Sequence, residues 1–284
     1  GIGYGPAGGF LDTPPTDLRT GRFKYRSTQP GRDALLTDLF RTIRHGLPGS
    51  GMPGMRTADP AQVWAVTLYT RSLQATPPKA SAPVELSPLP VLVLKREDDQ
   101  ATYQRHLARG KAIFVAFECS RCHGTEGRGD GPDAIVEWSD GRQIRARDFK
   151  PRDARDDPKR RLRGGAKPGD LWRTIMAGLD AEGMPSVYEH FEAARKAGAR
   201  GKVDRRLFQP LKDPALFAVG VVASEDGPYE ERIESLHVGA KTAAEDYQRF
   251  GDDWCLVLYV LSLLRTEDEV ERGVIAWPKI EVRK

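Results

Sequence analysis

Apolar side chains recur at helical spacing along much of the chain. The spacing predicts helices over 62–73, 100–117 and 253–264, because a buried helical face repeats every three to four positions. The longest apolar stretch, from Cys255 to Leu264, is shorter than the roughly 20 residues that span a bilayer. The pattern therefore predicts an all-α protein with no transmembrane segment.

Two segments of sixteen residues repeat 132 positions apart. Residues 38–53 read DLFRTIRHGLPGSGMP and residues 170–185 read DLWRTIMAGLDAEGMP, with ten positions identical. Each segment predicts a short helix. Asp38 and Asp170 are the expected N-caps, and the following glycines, Gly46 and Gly178, are the expected ends.

Two further matches flank this repeat in the same order. Residues 1–6 match 127–132, and residues 64–73 match 254–263, so one module occurs twice. The matches are spaced differently, which indicates an insertion near 187–249 in the second copy. We expect one domain at 1–74, a Pro-rich linker at 75–98 and a second domain at 99–284.

Within the linker, the stretch 88–94 is apolar enough to lie against a module. Within the insertion, residues 186–197 have a helical pattern and 216–222 are a possible strand.

Charge and cysteine content exclude some classes of protein. The formal net charge is only +4, and no aromatic platform or groove-reading helix accompanies it, so we expect no nucleic-acid partner. Three cysteines are too few for a disulfide scaffold. The sequence opens without Met or a signal-like segment, so we expect a processed or truncated product.

The strongest chemical motif is Cys119-Ser-Arg-Cys122-His123, which has the C-x-x-C-H spacing of c-type haem attachment. Two thiols at this spacing can add across the two haem vinyl groups, and the adjacent His then reaches the iron. A zinc half-site, a redox dithiol and a chance match are the alternatives. A zinc site would need two further Cys or His ligands at similar spacing, and Cys255 alone does not supply them.

The motif, the helix before it, the Gly-rich stretch 124–132 and the later Gly-Met-Pro resemble class I cytochromes c. The resemblance implies two tandem class I cytochrome c-like helical domains, the second with a large insertion. It also implies that His123 is the proximal ligand of the haem iron, that Met184 is the distal ligand, and that the Pro132 carbonyl accepts a hydrogen bond from His123.

Other residues compete for the distal position. Met184 could instead be a core methionine, and Met176 and Met55 are the competing methionines. His190 or His237 could also replace Met184.

In the first module the resemblance implies that Pro6 plays the part of Pro132 and that Met52 would ligate a second iron. The corresponding C-x-x-C-H would lie just before residue 1. We therefore expect haem c at one attachment motif in this sequence and a second haem in the parent polypeptide. The alternative is a haemless first module kept for packing.

Filled axial positions favour an electron carrier over an enzyme, because substrate has no open iron position. We expect protein redox donors and acceptors, a periplasmic location and a place in a respiratory chain. A stable complex formed through 187–249 would make the chain a subunit of a larger oxidoreductase. The enzyme alternative is a dihaem cytochrome c peroxidase.

Three remaining features have a plain and a functional interpretation. Residues 142–163 hold ten basic and four acidic side chains, either as a solvated loop or as a rim that pairs haem propionates or steers an acidic partner. Cys255 is expected to be a small buried apolar residue, and Trp64 and Trp254 are expected in the core. His45 and His106 are expected to be surface or structural histidines.

Overall fold

The computed structural model describes residues 3, 5–6, 11, 15–29, 31–79, 92–95, 99–137, 143–153, 155–179, 182–189, 191, 252–273, 275, 277 and 280–283. Its helices are α1 (Leu36–His45), α2 (Pro60–Ser72), α3 (Asp99–Ala116), α4 (Cys119–His123), α5 (Pro168–Ala177), α6 (Asp252–Leu263) and α7 (Glu267–Glu271). Short 3-10 turns occur at Leu18–Thr20 and Pro158–Arg161.

The described residues also form four short strands. They are β1 (Leu92–Lys95), β2 (Ile135–Glu137), β3 (Gln143–Arg145) and β4 (Ile280–Arg283). Strand β1 pairs in parallel with β4, and β2 pairs with β3. The protein is therefore mostly helical. Part of the predicted linker is a strand, and this includes the end of the apolar stretch that was expected to lie against a module.

The chain forms two compact units that each combine separate stretches of sequence. Unit 1 consists of Gly1–Ser87, Val136–Ile144 and Asp157–Glu189, and unit 2 consists of Pro88–Ile135, Arg145–Asp156 and His190–Lys284. The two copies of the repeated segment, which form α1 and α5, therefore belong to the same unit. Each unit combines separate stretches of sequence, so the units do not test the predicted domain boundaries at 74 and 99, which stay a prediction.

Unit 1 has a core on one face of each of its helices. Helix α1 buries Leu39 and Ile43, and its Phe40 ring lies 4.5 Å from the ring of Trp64 in α2. Helix α5 buries five residues, namely Leu171, Trp172, Ile175, Met176 and Ala177. Trp64 is nevertheless 37% exposed, so its assignment to the core was wrong.

Helices α1 and α5 begin earlier than the repeat predicted. Their N-caps are Leu35 and Lys167. Asp38 and Asp170 each lie three residues after the N-cap, in the first turn of the helix. The Asp38 carboxylate is buried and accepts hydrogen bonds from the amide and hydroxyl of Ser27 and from the amide of Leu35. The N-cap prediction was therefore wrong. A first-turn carboxylate meets the same need, because the amides at a helix start lack partners inside the helix.

The ends of both helices are as predicted. Gly46 and Gly178 have φ of 69° and 66°, which other residues adopt at a cost. A Cβ on Gly178 would also lie 2.6 Å from the backbone nitrogen of Ser186. These two positions therefore require glycine for two reasons, conformation and close approach.

Unit 2 is organised by the crossing of α3 and α6. Nine of the twelve residues of α6 are buried, including Trp254 and Cys255 as predicted. At the crossing, Gly110 of α3 lies against the backbone of Cys255 and the Cβ of Tyr259. Arg109 donates to Asp252 from Nε at 2.7 Å and from a terminal nitrogen at 2.6 Å, which fixes the start of α6 relative to α3.

Parts of the insertion lie outside the described residues. These include the possible strand at 216–222 and His190 and His237, so the structure describes neither histidine.

Candidate functional site

Helix α4 carries Cys119, Cys122 and His123 on a single short turn directly after α3. The chain enters it through Glu118, which has a left-handed φ of 57° and no glycine to ease it. Arg121 pairs with Glu118 at 3.1 Å and with Asp133 at 2.7 Å. The motif residues thus sit on a tight turn that is tied to the segment following it.

The Gly-rich stretch after His123 folds back under the motif. Gly124, Gly127 and Gly129 all have positive φ, and the amide of Gly129 donates to the carbonyl of His123 at 2.8 Å. The amide of Phe149 donates to the carbonyl of Gly127 at 2.7 Å. These bonds bring residues 146–149 alongside the His123 ring, because the glycines allow a curl that other residues resist.

His123 is held on two sides. Its Nδ1 donates to the carbonyl of Arg147 at 3.0 Å, and its ring stacks on Phe149 with a centroid separation of 4.5 Å and an interplanar angle of 20°. The Phe114 ring of α3 lies 6.4 Å away. With Nδ1 as donor, Nε2 carries the lone pair that can bind a metal.

The acceptor of the His123 bond differs from the expected one. The resemblance places the Pro132 carbonyl there, whereas the structure places the Arg147 carbonyl there. The reason is that residues 131–134 form a turn bonded to α4, with the Asp133 amide donating to the Arg121 carbonyl at 2.8 Å. Pro132 is exposed on this turn. Sequence reasoning missed the roles of Arg147 and Phe149, which lay within a stretch interpreted only by its charge.

Burial shifts the pKa values of all three side chains of the motif. Burial raises the pKa of the Cys119 thiol to about 12, and burial with the nearby Asp133 carboxylate raises the pKa of Cys122. Burial also lowers the pKa of His123, against the hydrogen bond to Arg147. A redox dithiol usually needs a lowered thiol pKa, so the direction of these shifts disfavours that alternative.

The zinc alternative gains nothing from the described residues. Among them, no group of three or more His, Cys, Asp or Glu side chains is arranged to hold a metal ion.

The two Gly-Met-Pro loops lie in unit 1 and have one backbone hydrogen bond in common. The amide of Leu47 donates to the Met52 carbonyl at 3.0 Å, and the amide of Leu179 donates to the Met184 carbonyl at 2.8 Å. The repeat is thus a structural repeat as well as a sequence repeat. Met52 is 38% exposed, whereas Met184 is half-buried.

The competing methionines have different surroundings. Met176 is 1% exposed in the core of unit 1, as predicted. The amide of Met55 donates to the Ile43 carbonyl at 3.0 Å. Pro6 is described and exposed, and nothing in its surroundings tests the role expected for it.

Two of the plain interpretations have an outcome here. Cys255 is fully buried, and its Sγ lies 3.6 Å from Nδ1 of His106, so His106 is structural.

Among the described residues, no helix is both long and apolar enough to cross a membrane.

This geometry defines a mostly helical domain that carries Cys119, Cys122 and His123 on one short turn. Residues 107–190 match the Cytochrome c family, and this part of the chain is a cytochrome c domain. Such a domain implies covalent haem c and a role in electron transfer. The comparison covers one domain and does not extend to a tandem second one.

The comparison with solved structures reaches further along the chain. A chain of the reducing HAO-like protein complex of Kuenenia stuttgartiensis matches with a TM-score of 0.58 and 23% sequence identity, covering 93% of this chain and 88% of that one. At this identity the match shows a shared fold. No curated protein matches the chain.

The residues on α4 fit a haem c group. The thiols of Cys119 and Cys122 would form the two thioether bonds, and Nε2 of His123 would bind the iron while Nδ1 stays on the Arg147 carbonyl. When bound, haem supplies a one-electron Fe(III)/Fe(II) couple. The protein's part is to fix the ligand ring, exclude water from it and set the charge around the group.

Proposed function

We propose that this chain is an electron-transfer cytochrome whose second-module haem is attached at Cys119 and Cys122 and ligated by His123 and Met184. The observation that carries the proposal is the state of His123, a half-buried ring whose Nδ1 donates to a backbone carbonyl. Such a ring is fixed in one tautomer and presents the other nitrogen to a metal. Met184 is supported by its place in the repeated loop.

Replacement of Met184 tests this assignment. We expect Met184→Ala to open the distal position, lower the reduction potential and allow carbon monoxide to bind the reduced protein, because a thioether ligand favours the reduced iron. Met55→Ala is the control, since it removes a competing methionine that lies just after the Gly-Met-Pro loop of the first module. An unchanged spectrum and potential in Met184→Ala would show that another group is the ligand.

A peroxide-turnover assay on the parent protein separates the carrier from the peroxidase alternative. A carrier with both axial positions filled should show no steady-state turnover of peroxide in the parent protein. Sustained peroxide turnover by the parent, coupled to oxidation of an electron donor, would favour the dihaem peroxidase instead.

We also propose that the first module binds haem, with Met52 as its distal ligand and a second attachment motif upstream of residue 1. The support comes from comparing α2 with α6, which share the pattern W-x-x-x-L-Y-x-x-S-L. Leu258 and Tyr259 of α6 are buried, whereas Leu68 and Tyr69 of α2 are 55% and 66% exposed. In unit 2 the helix that buries this face is α3, which leads into C-x-x-C-H.

The occupant we assign to the exposed face of α2 is therefore the helix that would precede the second attachment motif. Intact mass and a pyridine haemochrome assay of the native polypeptide test this. Two haems per chain are expected. One haem on a polypeptide that includes the upstream segment would show that the first module is a haemless packing module.

We further propose that the protein works in the periplasm, between protein redox partners of a respiratory chain and within a larger complex. The similar chain from Kuenenia stuttgartiensis belongs to a protein complex, which supports the last point. The insertion at 187–249 is the proposed contact. Replacing 192–249 with a short linker should abolish co-purification of a partner and leave the haem spectrum unchanged. Retention of the partner would place the contact elsewhere.

A further inference from the structure

A cleft in unit 1 is lined by basic side chains from three stretches of the chain. Lys24 and Arg26 come from the segment before α1, Arg41 from α1 and Arg173 from α5. All of these residues belong to one unit, so the cleft is internal to it. Neutral groups, including Thr174, complete the wall.

Arg41 and Arg173 are equivalent residues of the repeated segment, in DLFRTI and DLWRTI. Each pairs with the aspartate three positions before it, at 3.4 Å for Asp38 and 3.0 Å for Asp170. Their side chains are only 29% and 19% exposed. The repeat thus places two partly buried guanidinium groups in the same cleft.

The carboxylates at this cleft have other commitments. Asp38 already accepts three hydrogen bonds from Ser27 and Leu35, which explains its long contact with Arg41. Glu182 accepts from Lys24 at 2.7 Å and lies 3.8 Å from Arg163. Asp170, by contrast, pairs with Arg173 at 3.0 Å, while Glu182 is shared by two cations, so the cations at this cleft outnumber its carboxylates.

Burial and the neighbouring charge of Arg173 both lower the pKa of Arg41. The carboxylates of Asp38 and Asp170 act in the opposite direction and offset only part of this effect, so an anion between the two guanidinium groups would further stabilise their charged forms.

Gly164 packs closely against two other residues of the cleft wall. A Cβ at this position would lie 2.6 Å from Oγ1 of Thr174 and 3.2 Å from Cδ1 of Tyr25. Any side chain here would therefore press into the wall of the cleft.

We infer that this cleft is an oxyanion site, in which Arg41 and Arg173 bind one carboxylate- or phosphate-like group and Lys24 adds charge at its edge. Guanidinium groups suit this chemistry because their paired N–H donors match two oxygens of one oxyanion. The oxyanion has two possible sources, a free inorganic anion or a propionate carboxylate of bound haem. Only the second source rests on the proposed haem function.

The test uses the full holoprotein and inorganic phosphate as the probe, in a low-salt buffer without other oxyanions. Calorimetric titration should show saturable binding, weakened about tenfold or more in Arg41→Gln and in Arg173→Gln, because each loses a charged pair of donors. Arg160→Gln is the matched control, since that side chain is 87% exposed and the charge change is the same.

If a propionate fills the site, phosphate will not bind saturably. Arg41→Gln and Arg173→Gln should then both make the reduction potential more negative than Arg160→Gln does, because a lost positive charge favours the oxidised haem. Either pattern supports the site and identifies the source of the oxyanion.

The proposal is overturned if both variants match Arg160→Gln in phosphate binding and in potential while circular dichroism shows them folded. Haem content by intact mass is measured separately on the same samples. A lack of haem with intact phosphate binding would therefore refute the haem function and leave the oxyanion site standing.

Discussion

The crossing of α3 and α6 makes Gly110 a sensitive position for stability. A Cβ added there would overlap the carbonyl oxygen of Cys255 and lie 2.7 Å from both the carbonyl carbon of Cys255 and the Cβ of Tyr259. Two of these three atoms are backbone, so no side-chain rotation can relieve the contact. The substitution Gly110→Ala must therefore push the two helices apart.

The expected cost can be estimated from two opposing effects. Overpacking a well-packed core costs about 1–3 kcal/mol. Replacing a helical glycine by alanine returns about 0.5–1 kcal/mol through lower backbone entropy in the unfolded chain. The packing effect is larger because the contacts are with backbone, so we expect a net loss of about 1–2 kcal/mol in the free energy of unfolding.

The matched control is Gly169→Ala in α5, where an added Cβ meets nothing within 4 Å. Chemical denaturation of the holoprotein should show Gly110→Ala destabilised and Gly169→Ala unchanged or slightly stabilised. Because α3 leads into α4, the Soret band of Gly110→Ala should also shift or broaden. If Gly110→Ala is as stable as the parent, the close crossing of the two helices is wrong.

Two further predictions concern single side chains. Burial and the charge of Glu126 raise the pKa of Tyr259 from 10.0 to about 12. The unfolded chain then loses this proton first, so stability should fall between about pH 10 and pH 12, by on the order of 2 kcal/mol. Tyr259→Phe should abolish this dependence of the unfolding free energy on pH in a denaturation series, whereas Tyr69→Phe should keep it. Asp38→Ala should lower the free energy of unfolding by about 3 kcal/mol in chemical denaturation, because three partly buried donors lose a charged acceptor. Asp170→Ala should cost about 1 kcal/mol or less, and equal losses would contradict this account.

Periodicity and spacing were enough to predict the helices and the attachment motif. Helices α2, α3 and α6 lie within two residues of their predicted bounds, because each carries a long apolar face. Gly46 and Gly178 were predictable as helix ends for a local reason, since positive φ favours glycine.

The partners of the site could not be read from the sequence in the same way. The Arg147 carbonyl reaches His123 through bonds between 127–129 and 146–149, and no side-chain pattern encodes a backbone acceptor. Pro132 was expected there from the resemblance to class I cytochromes c, but it lies on a turn that is hydrogen-bonded to Arg121 instead. A resemblance can predict that an acceptor exists, but the path of the intervening loop decides which residue supplies it.

The same limit explains why equal sequence patterns have unequal burial in α2 and α6. The Leu-Tyr pair is buried in α6 because α3 crosses it at Gly110, and exposed in α2 where no described helix does so. Burying side chains of this size contributes about 1.5–3 kcal/mol each. An exposed apolar pair that a sister helix buries is thus a substantial unfavourable surface. If a haem-bearing segment buried this pair, the closing helix of the first module would be packed as that of the second module is. The number of haems per chain and the stability of α2 should therefore change together.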